Sequence, residues 1–177
     1  IANHRGSAFG KNFSEQPSQA NFENVITDKY LNHIYSQIYI EDESRTIGRV
    51  TLPESWYGKM QSSDLIVLNT SNEKRVNNIL KEYVVEALKD FTNENELLNQ
   101  YLSYLDKIKK RLGGELYKDI SSLMINAFNK NKNHEDWISK LLTMYYDPMY
   151  KYKLSMRKKN IIHIGDYKSC YEYLGGL

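Results

Sequence analysis

Apolar residues change their spacing twice along this chain, and the changes divide it. After a polar, glycine-containing opening, "NHRGSAFGKNFSEQPSQ", the residues Phe22, Val25, Ile26, Tyr30 and Ile34 recur at helical spacing, with Pro17 and Ser18 suited to start the helix. "QIYIED" then reads as a short strand that carries acidic groups at its C-terminal end. "TLPESWYGKMQ" reads as a short helix with Pro53 near its start. "DLIVLN", from Asp64 to Asn69, is a continuous apolar run of strand length, the pattern of a parallel strand covered on both faces. Strand, helix and strand alternate over this stretch, which predicts an α/β core.

The texture then becomes helical. Val76, Ile79, Leu80, Tyr83, Val84, Ala87, Leu88 and Phe91 keep i, i+3, i+4, i+7 spacing. Asn93 with Glu96 resembles a capping box at the head of a second helix, Leu97 to Leu112, which Gly113 ends. A third helix follows over Leu116 to Phe128 and a fourth over Trp137 to Tyr145, where Asp147-Pro148 is expected to stop it. "NIIHIGD" reads as a return strand, Ile161 to Ile164, and Asp166 can cap a last helix carrying Tyr171 and Leu174. The predicted organisation is an α/β core over 1–71, an all-helical insertion over 72–159, and a return strand and C-terminal helix of the core over 160–177.

Composition narrows the function. The chain has 177 residues and a net charge of only +2, so nucleic-acid binding has to come from a local patch. No run approaches the roughly 20 apolar residues that span a bilayer. The opening lacks the apolar region of a signal peptide. The single cysteine, Cys170, excludes an internal disulfide and a cysteine-based zinc site and suits a reducing compartment, so a cytoplasmic location is expected. Ile1-Ala2 reads as the tail of a strand already under way, so the chain is expected to be a piece of a longer protein.

Four stretches could carry chemistry. In "IYIEDESRTIG", Glu41, Asp42 and Glu43 could hold a hydrated magnesium ion beside phosphates, and Arg45 could grip a phosphate bidentately. The plainer alternative is an acidic surface loop with a local Glu–Arg pair. In "NHRGSAFG", Gly6 and Gly10 let the backbone approach a ligand, and His4, Arg5 and Ser7 supply donors for an anion; a surface turn is the alternative. The basic clusters Lys107, Lys109, Lys110, Arg111 and Lys151, Lys153, Arg157, Lys158, Lys159, the latter interleaved with Tyr150 and Tyr152, suit RNA or a solvated helix face. The four aromatics of "YYDPMY" either pack helices or frame an apolar groove. No Ser-His-Asp or Cys-His arrangement is present; Cys170 reads as structural, and His163, in an apolar run, as a satisfied core histidine.

The ordered set "ANHRGSAFG", "QPSQANFEN", "EDESRTIG", "LPE", "KKRLG" and "YYDPMYKYKL" closely resembles the C-terminal domain of the tRNA 2-selenouridine synthases, over essentially the whole chain. The resemblance implies a tRNA-modifying transferase with an N-terminal rhodanese-like domain, which holds the catalytic cysteine, and a P-loop domain. Such an enzyme converts wobble 2-thiouridine to 2-selenouridine through an S-geranyl intermediate, using geranyl diphosphate and then selenophosphate. Neither the rhodanese cysteine nor a G-x-x-x-x-G-K-[ST] loop is in this chain. The fold class expected is therefore α/β, a partial P-loop NTPase-like parallel sheet without its first strand, and the isolated chain is expected to be inactive.

Carried over onto this sequence, the resemblance assigns His4, Arg5, Gly6, Ser7, Glu41, Glu43 and Arg45 to a phosphate or diphosphate site, with magnesium on Glu41 and Glu43. A geranyl slot is assigned to Phe9, Phe22, Trp56 and Tyr146, and tRNA contacts to Lys109, Lys110, Arg111, Lys151, Lys153 and Arg157. Partners implied are tRNA and the absent N-terminal segments. An open sheet edge would also invite pairing with a second copy. Two rival readings are a non-catalytic RNA-binding module and a P-loop kinase-like phosphotransferase whose inserted helices act as a lid.

Overall fold

The computed structural model describes residues 1–4, 9 and 15–175. Its contacts separate two compact units, Ile1–Ser63 and Asp64–Leu177. The architecture is mixed α/β with helices dominant, and its strands form one antiparallel and one parallel pair.

In the first unit, helix α1 spans Gln19–Leu31 and starts as its sequence dictates: Ser18 Oγ accepts the Asn21 N–H at 3.2 Å. It ends at Leu31 rather than running on to Ile34, and Asn32 closes it by donating its backbone N–H to the Asp28 carbonyl. The expected strand at "QIYIED" does not form. Residues 32–45 carry no helix or strand, and Ile38, Tyr39 and Ile40 are exposed. The strands of this unit come just after it. β1 (Thr46–Ile47) and β2 (Val50–Thr51) form a short antiparallel hairpin whose two-residue loop begins at Gly48, with φ +62°. Helix α2 (Glu54–Ser62) follows Pro53. The core joins α1 to the hairpin through Phe22, Ile26 and Val50, against which Ala2, Ile47, Leu52 and Trp56 pack. Burying each large side chain of this kind contributes about 1.5–3 kcal/mol.

The second unit holds a parallel strand pair and a helical bundle. β3 (Leu65–Leu68) pairs in parallel with β4 (Ile161–Gly165), but the pair is not covered on both faces as the apolar run suggests: Leu68, Ile162 and Ile164 are exposed. Between them in sequence lie α3 (Asn72–Leu80), α4 (Glu94–Leu112), α5 (Gly114–Asn126), α6 (Glu135–Leu141) and α7 (Asp147–Met156). The capping box forms as its sequence suggests: Asn93 Oδ1 accepts the Glu96 N–H at 3.1 Å, and Glu96 Oε2 accepts the Thr92 N–H at 3.2 Å. α4 buries Leu97, Leu98, Tyr101, Leu105, Ile108 and Leu112 along one face and packs against α5; α6 packs against α3 and α5. Asp147-Pro148 does not stop the fourth helix. Pro148 lies just after the π-helical turn Leu142–Tyr146, and the chain stays helical to Met156.

Three π-helical turns, Lys81–Glu86, Ala127–Asn131 and Leu142–Tyr146, interrupt the helical spacing. Each re-aims the next buried face by one residue and keeps Val84, Phe128 and Tyr145 inside. The last helix, α8 (Tyr167–Gly175), is capped by Asp166, whose Oδ1 accepts the Ser169 N–H at 2.8 Å. It packs on the strand pair, with His163 bonded to Ser169 at 2.9 Å and stacked on Tyr173. Cys170 is buried there, with Sγ 3.4 Å from the Gly165 carbonyl.

Candidate functional site

A cavity of about 690 Å³ opens in the first unit, within the size range of small-molecule sites. α1 supplies Phe22, Ile26 and Tyr30 to its wall, and α2 supplies Trp56 and Met60. Tyr35, Ile38, Tyr39 and Ile40 of the irregular stretch complete an apolar, aromatic lining. The apolar run that suggests a strand in the sequence thus serves as a cavity wall instead. The aromatic residues brace one another: Tyr30 meets Trp56 edge-on with ring centroids 5.4 Å apart, and His33 stacks on Tyr30 while bonding its carbonyl.

Polar groups share this lining. His4, Glu41 and Glu43, drawn from the N-terminal segment and the acidic stretch, face the same space as Phe22 and Trp56. Glu43 Oε2 also accepts the Ser44 N–H at 3.0 Å. Lys29 and His33, one turn apart on α1 and just after it, add nitrogen groups that the sequence motifs did not single out. Arg45 does not join the lining. Its guanidinium is 2.6 Å from Glu54, and both side chains are exposed.

The geometry around this cavity depends on two glutamines. Gln16 Nε2 donates to the carbonyls of Ala2 and Ile47, both at 2.9 Å, and its Oε1 accepts the Arg49 N–H at 3.0 Å. Gln19 Nε2 donates to the Thr51 carbonyl and its Oε1 accepts the Thr51 N–H, both at 2.8 Å. Two side-chain amides therefore dock the hairpin as a strand would.

The other expected site residues fall elsewhere. Arg5, Gly6 and Ser7 lie outside the described residues. Phe9 is buried in the first unit without lining the cavity, and Tyr146 belongs to the second unit, edge-on to Tyr145. Lys109, Lys110 and Arg111 are exposed at the end of α4, with Lys109 Nζ 4.4 Å from the centre of the Tyr117 ring and Arg111 5.9 Å from that of Tyr145. Lys151 is exposed on α7 beside Tyr150 and Tyr152, and Lys153 is half-buried. Arg157, unlike the other expected tRNA contacts, is only 6% exposed. Among the described residues, no group of three or more His, Cys, Asp or Glu side chains could hold a metal ion, and no helix is long and apolar enough to cross a membrane.

The comparisons with known proteins agree on one family. The model of the tRNA 2-selenouridine synthase AAA domain matches residues 1–176, which makes the class an AAA-type domain, in keeping with the mixed α/β architecture. The tRNA 2-selenouridine synthases of Shewanella oneidensis and Shewanella denitrificans are each 39% identical over 193 residues, covering 100% of this chain and 51% and 53% of those proteins. That of Shewanella frigidimarina is 38% identical over 190 residues, covering 98% of this chain and 52% of the relative. The chain belongs to the tRNA 2-selenouridine synthase family, and it spans about half the length of the curated relatives it matches. No solved structure matches it.

Proposed function

We propose that this chain is the part of a tRNA-modifying transferase that receives a prenyl diphosphate and offers a surface to tRNA. The whole enzyme would convert wobble 2-thiouridine to 2-selenouridine through an S-geranyl intermediate, with selenophosphate as selenium donor. Its rhodanese cysteine and Walker A loop would lie outside this chain. The sheet built on β3 and β4 would be the remainder of a P-loop sheet, 72–159 its helical insertion, and the compartment the cytoplasm.

One observation carries the reading. A single cavity joins an apolar, aromatic wall to His4, Glu41 and Glu43. Geranyl diphosphate has the same two-part chemistry. Its ten-carbon chain gains about 0.8 kcal/mol per buried CH₂. Its diphosphate needs compensating charge, because the lining offers one lysine against two carboxylates. Magnesium fits that donor set: it keeps several waters and binds through one or two carboxylates plus substrate phosphates. Glu41 and Glu43 would hold the ion, which would neutralise the diphosphate, while His4, with Arg5, Gly6 and Ser7 beside it in sequence, would donate to the phosphate oxygens. Phe22, Trp56 and the tyrosines would exclude water from the chain. Lys109, Lys110, Arg111, Lys151 and Lys153 would meet the tRNA backbone, with the exposed rings of Tyr150 and Tyr152 available to stack on unpaired bases.

Titration with geranyl diphosphate tests this, read by tryptophan fluorescence. Saturable quenching that requires magnesium and disappears in Trp56→Phe supports the reading. Trp137, 2% exposed in the second unit, remains as an internal reference. Absence of a saturable change, or one that survives Trp56→Phe, removes it.

A further inference from the structure

The two glutamines of "QPSQ" touch no substrate group in the proposed chemistry, yet one of them ties the cavity walls together. We infer that Gln16 is a positioning residue of the cavity: its amide fixes the N-terminal segment that carries His4 against the β1–β2 turn. The inference rests on reading the cavity as the substrate site, and it adds a residue that determines its shape.

Gln16 uses both of its amide hydrogens and its oxygen. The hydrogens go to Ala2 and Ile47, which both line the cavity, and the oxygen takes the N–H of Arg49 in the turn. Arg49 answers by donating Nη2–H to the Gln16 carbonyl at 2.7 Å. The partners lie 14, 31 and 33 residues away, so a single side chain ties two separate segments together, the N-terminal one and the β1–β2 hairpin. The turn fits against it without slack. A Cβ on Gly48 would fall 2.1 Å from Gln16 Oε1 and 2.5 Å from His4 Cδ2. The turn backbone, the amide and the imidazole are therefore in direct contact, and His4 lines the cavity.

Gln19 is a built-in control. It braces the same hairpin with two amide bonds, also across a long separation, but its partner Thr51 does not line the cavity. A purely structural role for these amides predicts equal effects when either is removed. A positioning role predicts that only loss of Gln16 moves His4.

The test uses the whole chain and compares Gln16→Ala with Gln19→Ala in three measurements: the His4 imidazole resonances by NMR without ligand, geranyl diphosphate affinity by Trp56 fluorescence, and the thermal midpoint. Both variants are expected to lower the midpoint similarly. Gln16→Ala alone should shift the His4 resonances and weaken binding about tenfold or more, the cost of a displaced site group. Gln16→Glu keeps the acceptor for Arg49 and loses both donated bonds, so it should reproduce this split if the alanine variant does not fold. Unmoved His4 resonances in Gln16→Ala or Gln16→Glu overturn the inference, as does an equal shift in Gln19→Ala. If the unmutated chain fails to bind geranyl diphosphate while loss of Gln16 alone moves His4, the substrate reading falls and the positioning role stands.

Discussion

Arg75 on α3 grips Asp147, the first residue of α7, with both ends of its guanidinium: Nη1 lies 3.1 Å from Oδ2 and Nη2 lies 2.5 Å from Oδ1. The two side chains are 28% and 23% exposed, so the pair is shielded well enough to matter, unlike the open Arg45–Glu54 pair. Asp147→Ala should therefore destabilise the chain by about 1–3 kcal/mol in urea unfolding, the range for removing one partner of a shielded charge-assisted contact. A double-mutant cycle with Arg75→Ala should return a coupling of at least about 0.5 kcal/mol. Additive single effects would mean that the two side chains do not stabilise each other.

Gly48 and Gly113 both have positive φ, and they should respond differently to alanine. At Gly113 the added Cβ meets nothing within 4 Å, so the cost is backbone strain alone, about 1–3 kcal/mol for a conformation that essentially only glycine adopts. At Gly48 it also strikes Gln16 and His4, so Gly48→Ala should lower stability by more than Gly113→Ala does. It should weaken cavity binding as well. Equal midpoint losses for the two variants would show that the contact at Gly48 relaxes freely.

What the sequence announces and what it hides have separate physical causes. Asn93 with Glu96, Ser18 and Asp166 are legible because a cap bonds within three residues, so its signal is local. β3 and β4 are legible as strands because short apolar runs rich in Ile, Val and Leu suit the extended chain, although Leu68, Ile162 and Ile164 stay exposed. "QIYI" carries a similar apolar signal with a different cause, since a cavity wall and a buried strand both demand consecutive apolar residues. Gln16 is illegible for the opposite reason: its partners lie as far as 33 residues away, and a glutamine has no local pattern that names a distant carbonyl. The π-helical turns also leave no local mark, because apolar spacing alone does not say where an extra residue enters a turn.

His134 makes the second unit sensitive to acid. It is 7% exposed, Trp137 Nε1–H donates to its Nδ1 at 3.2 Å, and Phe128 meets it edge-on. Burial pushes its pKa below the usual histidine value, and Lys132 pushes it the same way, while Glu94 partly opposes them. The unfolded chain therefore binds the proton more readily than the folded one. The stabilising contribution is full above the unfolded pKa, about 6.5, and is lost as pH falls through the lower folded value. The thermal midpoint should fall between pH 7 and 5, and His134→Gln should flatten that slope. An unchanged slope in the variant would assign the acid sensitivity to other groups.

The basic residues divide into surface and interior by burial, and tRNA binding can separate them. Lys109, Lys110 and Arg111 are exposed at one helix end, where each can neutralise a phosphate. Replacing all three by alanine should weaken tRNA binding. It should also flatten the dependence of log K on log salt by about 0.7–0.9 for each phosphate that is no longer neutralised. The three cations are themselves exposed, so the thermal midpoint should move little. Arg157→Ala should do the reverse. Its buried guanidinium contributes to the interior, so the midpoint should drop while the salt slope of the folded variant stays at the unmutated value. Filter binding across a salt series, with tRNA carrying or lacking wobble 2-thiouridine, measures both. An unchanged slope in the triple variant would move the tRNA contact away from the end of α4, and a flattened slope in Arg157→Ala would show that this arginine reaches the backbone after all.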